Sequence, residues 1–385
     1  MKILEVTNVD FSLRHFLLPL MVALRAQGHD VTGVCADGPL LETVRAQGLR
    51  VETVPMSRTL SPLAQWRAWR ALVRLIRAEK PDMVHAHMPI SGLLARFAAR
   101  WCGVPCIAYT GHGFLFNQPG SWLRRGVALV LEWLAGRVTD IYMTVSESEA
   151  RDARRLGIHR QATAIGNGRD PDVFHPMPER RAALRQQMGV DGGQVVILAV
   201  SRLVRSKGYP ELLAAMRLLP PNAVLWVVGK RLPGDRGMDL RPCFAQAVAD
   251  LGSRLVFLGY REDVADLMAA ADIFVLPSHF EGLPMSVIEA MLCALPVVAS
   301  DIPGPREQVV TGRTGLLVPP GHARALATAL ETLVRDAALR QRMGQAGRSR
   351  ACARYAQATV LARTLALLMP APADGPAGAV SKIKF

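Results

Sequence analysis

Short apolar runs alternate with amphipathic stretches over nearly the whole chain. Runs at 2–7, 30–35, 83–87, 104–109 and 141–145 predict one series of strands. Runs at 195–200, 223–228, 255–259, 273–276 and 296–299 predict a second. Helical periodicity fills the gaps, at 14–27, 63–79, 208–218, 264–270 and 286–293. Strands alternating with helices imply parallel sheets joined by crossover helices. Each series is long enough for its own sheet, so the expected fold class is α/β with two Rossmann-like domains facing across a cleft. The boundary falls where Pro171, Pro176 and Pro178 meet a polar, Gly-containing stretch, giving an N-terminal domain at 1–175 and a C-terminal one at 176–355. A helix at 356–369 is expected to return to the first domain, and the Pro/Gly/Ala-rich tail at 370–385 to be disordered.

Composition narrows the class. Half of the 385 residues are hydrophobic and a fifth are charged, which suits folded domains with sizeable cores. No apolar run approaches the ~18 residues of a membrane-spanning helix. The start reads as a strand rather than a secretory signal, so a cytoplasmic protein is expected. Six cysteines include no C-x-x-C pair and read as reduced, mostly buried thiols. The net charge of +14 is shared evenly between the two halves, so there is no basic tail for nucleic acid. A diffuse basic surface favours anionic small molecules, diphosphate-linked substrates or phospholipid headgroups.

Ligands of open parallel sheets bind beyond the carboxyl ends of the strands, so the loops there carry the chemistry. No G-x-G-x-x-G and no Walker A sequence is present, which disfavours a dinucleotide-dependent oxidoreductase and a P-loop NTPase. After the strand at 195–200 the loop carries Arg202 and Lys207, five apart, where helix amides also point; that set suits a diphosphate. After the strand at 273–276 the loop carries Glu281, and Glu289 follows about one turn into an apolar helix. A carboxylate among buried residues needs hydrogen-bond donors, and sugar hydroxyls are suitable ones. The alternative for Glu289 is a helix-end cap or salt bridge. His85 and His87 share one face of a strand but lack a third metal ligand, so structural or acceptor-side roles are expected.

In these residues the chain resembles the retaining glycosyltransferases of family 4, which have the GT-B fold. Glu281 and Glu289 stand as in that family's E-x7-E motif, and Arg202 and Lys207 as its diphosphate-binding pair. Asn167-Gly168 with Asp170, Gly304 with Glu307, and the run 314–318 resemble further elements. Within the family the closer likeness is to transferases that extend polyprenyl-diphosphate-linked glycans for exopolysaccharide or other surface glycans, carried by the segments 15–20, 57–62 and 109–116. The resemblance implies a nucleotide-sugar donor, UDP-sugar ahead of GDP-mannose, and transfer without metal or cofactor. It implies that Glu281 holds the donor sugar with the backbone of Gly282, Leu283, Pro284 and Met285. Glu289 would hold the ribose, His112 would face the sugar or its phosphate, and Tyr260 and Arg261 would lie near the base. Asn8, His15 and Arg58 are expected on the acceptor or membrane side. Three positions depart from the family: Thr7-Asn8-Val9-Asp10 stands where a Gly-Gly pair is usual, Ala294 where glycine is usual, and Arg169 where an apolar residue is common. A sugar-nucleotide epimerase, a phosphorylase and a non-catalytic sugar-nucleotide sensor are the alternatives; no pyridoxal-phosphate lysine is identified for the second.

Ser61-Pro62 and Lys80-Pro81 delimit a helix in which Arg67, Arg70, Arg74 and Arg77 form one stripe. Trp66, Trp69, Val73 and Ile76 form a second. Either the apolar stripe packs on the sheet beneath solvated arginines, or the helix lies on an anionic membrane surface.

Overall fold

The computed structural model describes residues 1–56, 61–118, 120–231, 235 and 237–369. Arg58 and the 370–385 tail lie outside the described residues. The first sheet has seven strands: β1 (Lys2–Val6), β2 (Asp30–Cys35), β3 (Arg50–Thr53), β4 (Met83–His87), β5 (Cys106–Gly111), β6 (Ile141–Thr144) and β7 (Thr163–Ala164), in the order β3-β2-β1-β4-β5-β6-β7. The second has β8 (Val195–Val200), β9 (Ala223–Val228), β10 (Leu255–Gly259), β11 (Ile273–Leu276), β12 (Val297–Ser300) and β13 (Gly315–Val318), in the order β10-β9-β8-β11-β12-β13. Every pairing between these strands is parallel. Helices cover both faces, which is why the central strands of the second sheet, β8, β9 and β11, are apolar throughout rather than alternating.

Each sheet reverses its strand order once, between β1 and β4 in the first and between β8 and β11 in the second. These reversals open the crevices in which doubly wound sheets hold ligands.

Several predicted bounds shift for local reasons. The strand predicted at 104–109 begins at Cys106, because Gly103 (φ 71°) and Pro105 make a turn before it. The helix predicted at 14–27 is instead a turn at Asp10–Ser12, a π-helical turn at Leu13–Leu17 and an α-helix at Leu18–Ala26. Pro19 has no N–H to give the His15 carbonyl four residues back, and Arg169 Nη1 donates there at 3.1 Å. The helix Gln357–Leu368 packs Leu361, Leu365 and Leu368 among Leu17, Leu20 and Leu24 beside the first sheet. Among the described residues, no helix is long and apolar enough to cross a membrane.

Candidate functional site

The loop after β8 turns sharply through a 3-10 turn at Arg205–Lys207 and ends at Gly208 (φ 75°). A Cβ on Gly208 would stand 2.0 Å from the Pro277 carbonyl oxygen, so only glycine lets this loop meet the one after β11. That approach brings Lys207 Nζ to 2.6 Å from Glu281 Oε1, and Ser278 Oγ donates to the same oxygen at 2.6 Å. Gly304 makes a second close approach, its would-be Cβ 2.0 Å from the Gly282 carbonyl oxygen. Asn167 Nδ2, from the first half, donates to the Leu283 carbonyl at 2.7 Å. Pro284 then leads into the buried helix Met285–Leu292. Gln308 Nε2 fixes the Pro284 carbonyl at 2.9 Å.

Beside this loop lies a cleft of about 620 Å³ between the halves. Phe11, His15 and Pro19 line it from the first half; Arg202, Lys230, Tyr260, Arg261 and Glu289 line it from the second. Arg202 Nη1 is held by the Asp235 carboxylate, and Lys230 Nζ lies 4.6 Å from the centre of the Tyr260 ring. Arg261 pairs with Asp263 at 2.5 Å. Glu289 Oε1 accepts from Arg169 Nε at 2.5 Å, so a buried carboxylate in an apolar helix has a cationic partner. Arg169 therefore links Glu289 of one half to the His15 backbone of the other. His15 lines this cleft with the residues expected to bind donor; burial first, then Arg14 and Arg169, depress its pKa to about 4. Arg202, Tyr260, Arg261 and Glu289 are thus brought together, while Lys207 and Glu281 form a pair of their own beside them.

At the switch point of the first sheet, β1 and β4 pair Glu5 with His85 in register. Glu5 Oε1 lies 3.1 Å from His85 Nδ1, and Glu5 Oε2 lies 2.8 Å from His87 Nε2. The expectation that the two histidines lack a third partner is corrected, because Glu5 supplies it. Burial alone would raise the Glu5 pKa, but the two imidazoles outweigh it and hold it at about 2. Burial and neighbouring His85 lower His87 to about 4, so its ring is neutral near pH 7. His87 therefore donates Nε2–H to Glu5 and presents a lone pair at Nδ1, where His112 Nε2 stands at 3.3 Å. Burial pushes the His112 pKa well down, leaving a neutral ring whose Nε2–H points at His87 and whose Nδ1 is an acceptor. Glu5, His85 and His87 are also the one group among the described residues with three metal-capable atoms close together. Each of those atoms already has a hydrogen-bond partner within the trio, which suits a proton-bearing ladder as well as an ion.

The cleft faces of the two halves meet at Gly113 and Gly282, where a Cβ on Gly282 would stand 3.6 Å from Gly113 Cα. Glu149, nearby, is driven up to about 8 by burial, even though its Oε1 accepts from the Phe114 amide at 3.0 Å. Asn8 lies at the end of β1, its Oδ1 accepting from Ser12 Oγ at 3.4 Å. Arg67, Arg70, Arg74 and Arg77 all point outward from the helix Pro62–Glu79, while Ala68, Leu72, Val73 and Ile76 point inward. Trp66 departs from its apolar stripe: it is half exposed, with the Arg70 guanidinium 4.7 Å from its ring centre. Sequence reasoning did not single out Glu5; its signal is a lone carboxylate inside a strand covered on both faces.

Residues 13–168 match the family model described as glycosyl transferase 4-like domain, and residues 180–350 match glycosyl transferases group 1. The chain is 31% identical over 286 residues to UDP-Gal:α-D-GlcNAc-diphosphoundecaprenol α-1,3-galactosyltransferase of Escherichia coli, covering 71% of this chain and 72% of the relative. The chain belongs to this glycosyltransferase family. A second relative, at 26% identity over 88% of the chain and 91% of its own length, is the N,N'-diacetylbacillosaminyl-diphospho-undecaprenol α-1,3-N-acetylgalactosaminyltransferase of Campylobacter jejuni. HepE of Anabaena, solved in complex with UDP and glucose, superposes with a TM-score of 0.83 at 25% identity, over 96% of this chain and 99% of that one. The glycosyltransferase therefore has the GT-B fold, with its two sheets facing across the cleft described above.

Proposed function

We propose that this glycosyltransferase moves a sugar from a nucleotide-sugar donor to a lipid-diphosphate-linked glycan in polysaccharide biosynthesis, retaining the anomeric configuration and using no metal. A UDP-sugar is the favoured donor and GDP-mannose the alternative. The observation that carries the reading is the Lys207–Glu281 pair, set at the strand-order reversal of the second sheet beside the Arg202 cleft. The named acceptors of the Escherichia coli and Campylobacter jejuni relatives, and the UDP and glucose held by HepE, support donor and acceptor class.

The chemistry follows from charge. As the bond between the sugar and the diphosphate stretches, negative charge grows on the diphosphate, and preorganised cations stabilise it. Arg202 and Lys207 supply that charge from the chain itself. Glu281 holds donor-sugar hydroxyls against the positive centre, helped by backbone amides at Gly282–Met285. Glu289 exchanges part of its contact with Arg169 for ribose hydroxyls, and Tyr260 and Arg261 lie near the base. The acceptor oxygen forms the new bond on the face the diphosphate leaves, and its proton passes to the departing phosphate oxygen. His112 meets the sugar with its Nδ1 lone pair. The enzyme works at the inner face of the cell membrane, where the outward arginines of the helix Pro62–Glu79 attract anionic headgroups.

Titration calorimetry with UDP and with uridine tests the assignment. Arg202→Ala and Lys207→Ala should each weaken UDP binding by about 1.5–3 kcal/mol and leave uridine nearly unchanged. Equal weakening of both would move these residues out of the phosphate site.

A further inference from the structure

The helix Trp122–Gly136 is amphipathic in the inverted sense. Its inward face carries Glu132, which forms a two-pronged pair with the fully buried Arg96 at 2.8 and 3.0 Å and accepts from Tyr142 Oη at 2.7 Å. Its outward face carries Trp122, Leu123, Val127, Val130, Leu131 and Leu134, all exposed, with Trp122 at 82% and Leu123 at 61%. At 3.6 residues per turn these positions sweep about half of the helix circumference without one charged residue. A contiguous apolar face of this kind on a folded domain marks a surface that something covers.

The charges around it say what. This helix packs against the helix Pro89–Trp101, which packs against the helix Pro62–Glu79, so the three lie side by side. All of their residues are described, and none of the three exposes a free carboxylate: Glu132 is buried, and Glu79 is held by Lys2 and Arg50. Arg67, Arg70, Arg74, Arg100 and Arg124 on these helices, and Arg137 just after the last, are exposed. A second copy meeting this chain through the same face would bring like charges together, with no free carboxylate on these three helices to pair them. An anionic bilayer complements both features: headgroups meet the arginines, and the apolar face sinks below them. Trp122, at the helix start, and Trp133, stacked 3.8 Å under the Arg137 guanidinium, suit the headgroup boundary.

We infer that the helix Trp122–Gly136 is the element that inserts into an anionic membrane leaflet, with the arginines of Pro62–Glu79 supplying the electrostatic approach. The inference rests on the lipid-linked acceptor proposed above and goes beyond it by naming the inserted surface. It also gives the acceptor a route, since the β-strand ends that open on the cleft belong to the sheet these helices cover.

Sedimentation with vesicles of equal phosphatidylglycerol and phosphatidylcholine tests it. The double variant V127D/V130D changes only exposed side chains and should lower vesicle partitioning by roughly tenfold or more, with UDP affinity and Tm kept. W122S should give the same loss in part, and serves where the double variant melts early. Brominated phospholipids should quench wild-type tryptophan fluorescence, and W122F should remove much of that quenching. Sedimentation of V127D/V130D at the wild-type level overturns the inference. So does loss of sedimentation only in R67Q/R70Q/R74Q/R77Q, which leaves a peripheral enzyme held by charge alone. A wild-type dimer that V127D/V130D dissociates, with no vesicle binding in either, assigns the face to self-association and also overturns it. Vesicle binding through this face in a protein inactive on every donor would support the surface while removing the proposed function.

Discussion

Lys207 and Glu281 stand 74 residues apart in the chain and meet because β8 and β11 are neighbours in the sheet. The two motifs that contain them were legible in the sequence, since both follow apolar runs that end in loops. Their pairing was not, because the Gly208–Pro277 approach that enforces it depends on two loops folding against each other. Glu5 was hidden for another reason: in sequence it is a single acid in a short strand, and its meaning lies in the register that sets it against His85. Glu149 gives a pH test at the same scale. Its folded pKa of about 8 lies above the ordinary carboxyl value of 4.5, so the folded state holds a proton that the unfolded state has lost. Stability should therefore fall as pH rises from about 4.5 to about 8, by at most roughly 1.4 kcal/mol per pH unit, and then level off. Glu149→Gln should flatten that slope and change little at pH 4, as urea unfolding across the range would register. An unchanged slope would mean that Glu149 is ionised in the folded protein.

Elements buried on both faces were read well. β2, β4, β8, β9 and β11 fall at their expected bounds, because apolar runs closed by turn residues leave little choice; the edge strand β10 does too, since its run is apolar although it is partly exposed. The short edge strands were not: β3 is half exposed with the sequence Arg-Val-Glu-Thr, and β7 has two residues, so neither leaves an apolar signature. The helix Trp122–Gly136 reads as apolar, but only the Arg96–Glu132 pair shows which face is inward. At Ala294, where glycine is usual in the family, the backbone is left-handed, with φ 58° following the helix Met285–Leu292. Ala294→Gly should relieve that conformation and raise stability by about 1 kcal/mol. A thermal melt of the two proteins checks it, and a lowered Tm for the glycine variant would refute the strain. Glu132→Ala should leave the buried Arg96 guanidinium without its carboxylate partner, costing about 3–5 kcal/mol in the same assay.

Across the whole molecule, three side-chain contacts among the described residues hold the halves around the cleft, beside the Arg169 amide that donates to the Tyr355 carbonyl at 3.0 Å. Asn167 reaches Leu283, Arg169 reaches Glu289 while its other arm holds His15, and Glu307 accepts from the amides of Glu147 and Ser148 at 2.8 and 2.7 Å. The last contact places a carboxylate at a helix N-terminus, where the orphan amides favour it. Two of these three draw on the segment 166–170 just before the linker, so the motif there positions the loop that carries Glu281. A transfer without metal predicts that a chelator leaves turnover unchanged; loss restored by Mg²⁺ or Mn²⁺ would contradict it. The most direct measurement of the central claim combines two readings on Glu281→Gln. Transfer of radiolabelled sugar from UDP-sugars to lipid-linked acceptors in membrane extracts should fall by about a hundredfold or more, while calorimetric UDP affinity stays close to wild type. Near-normal transfer by Glu281→Gln would contradict the account, because the pair at the switch point would then hold nothing that reacts.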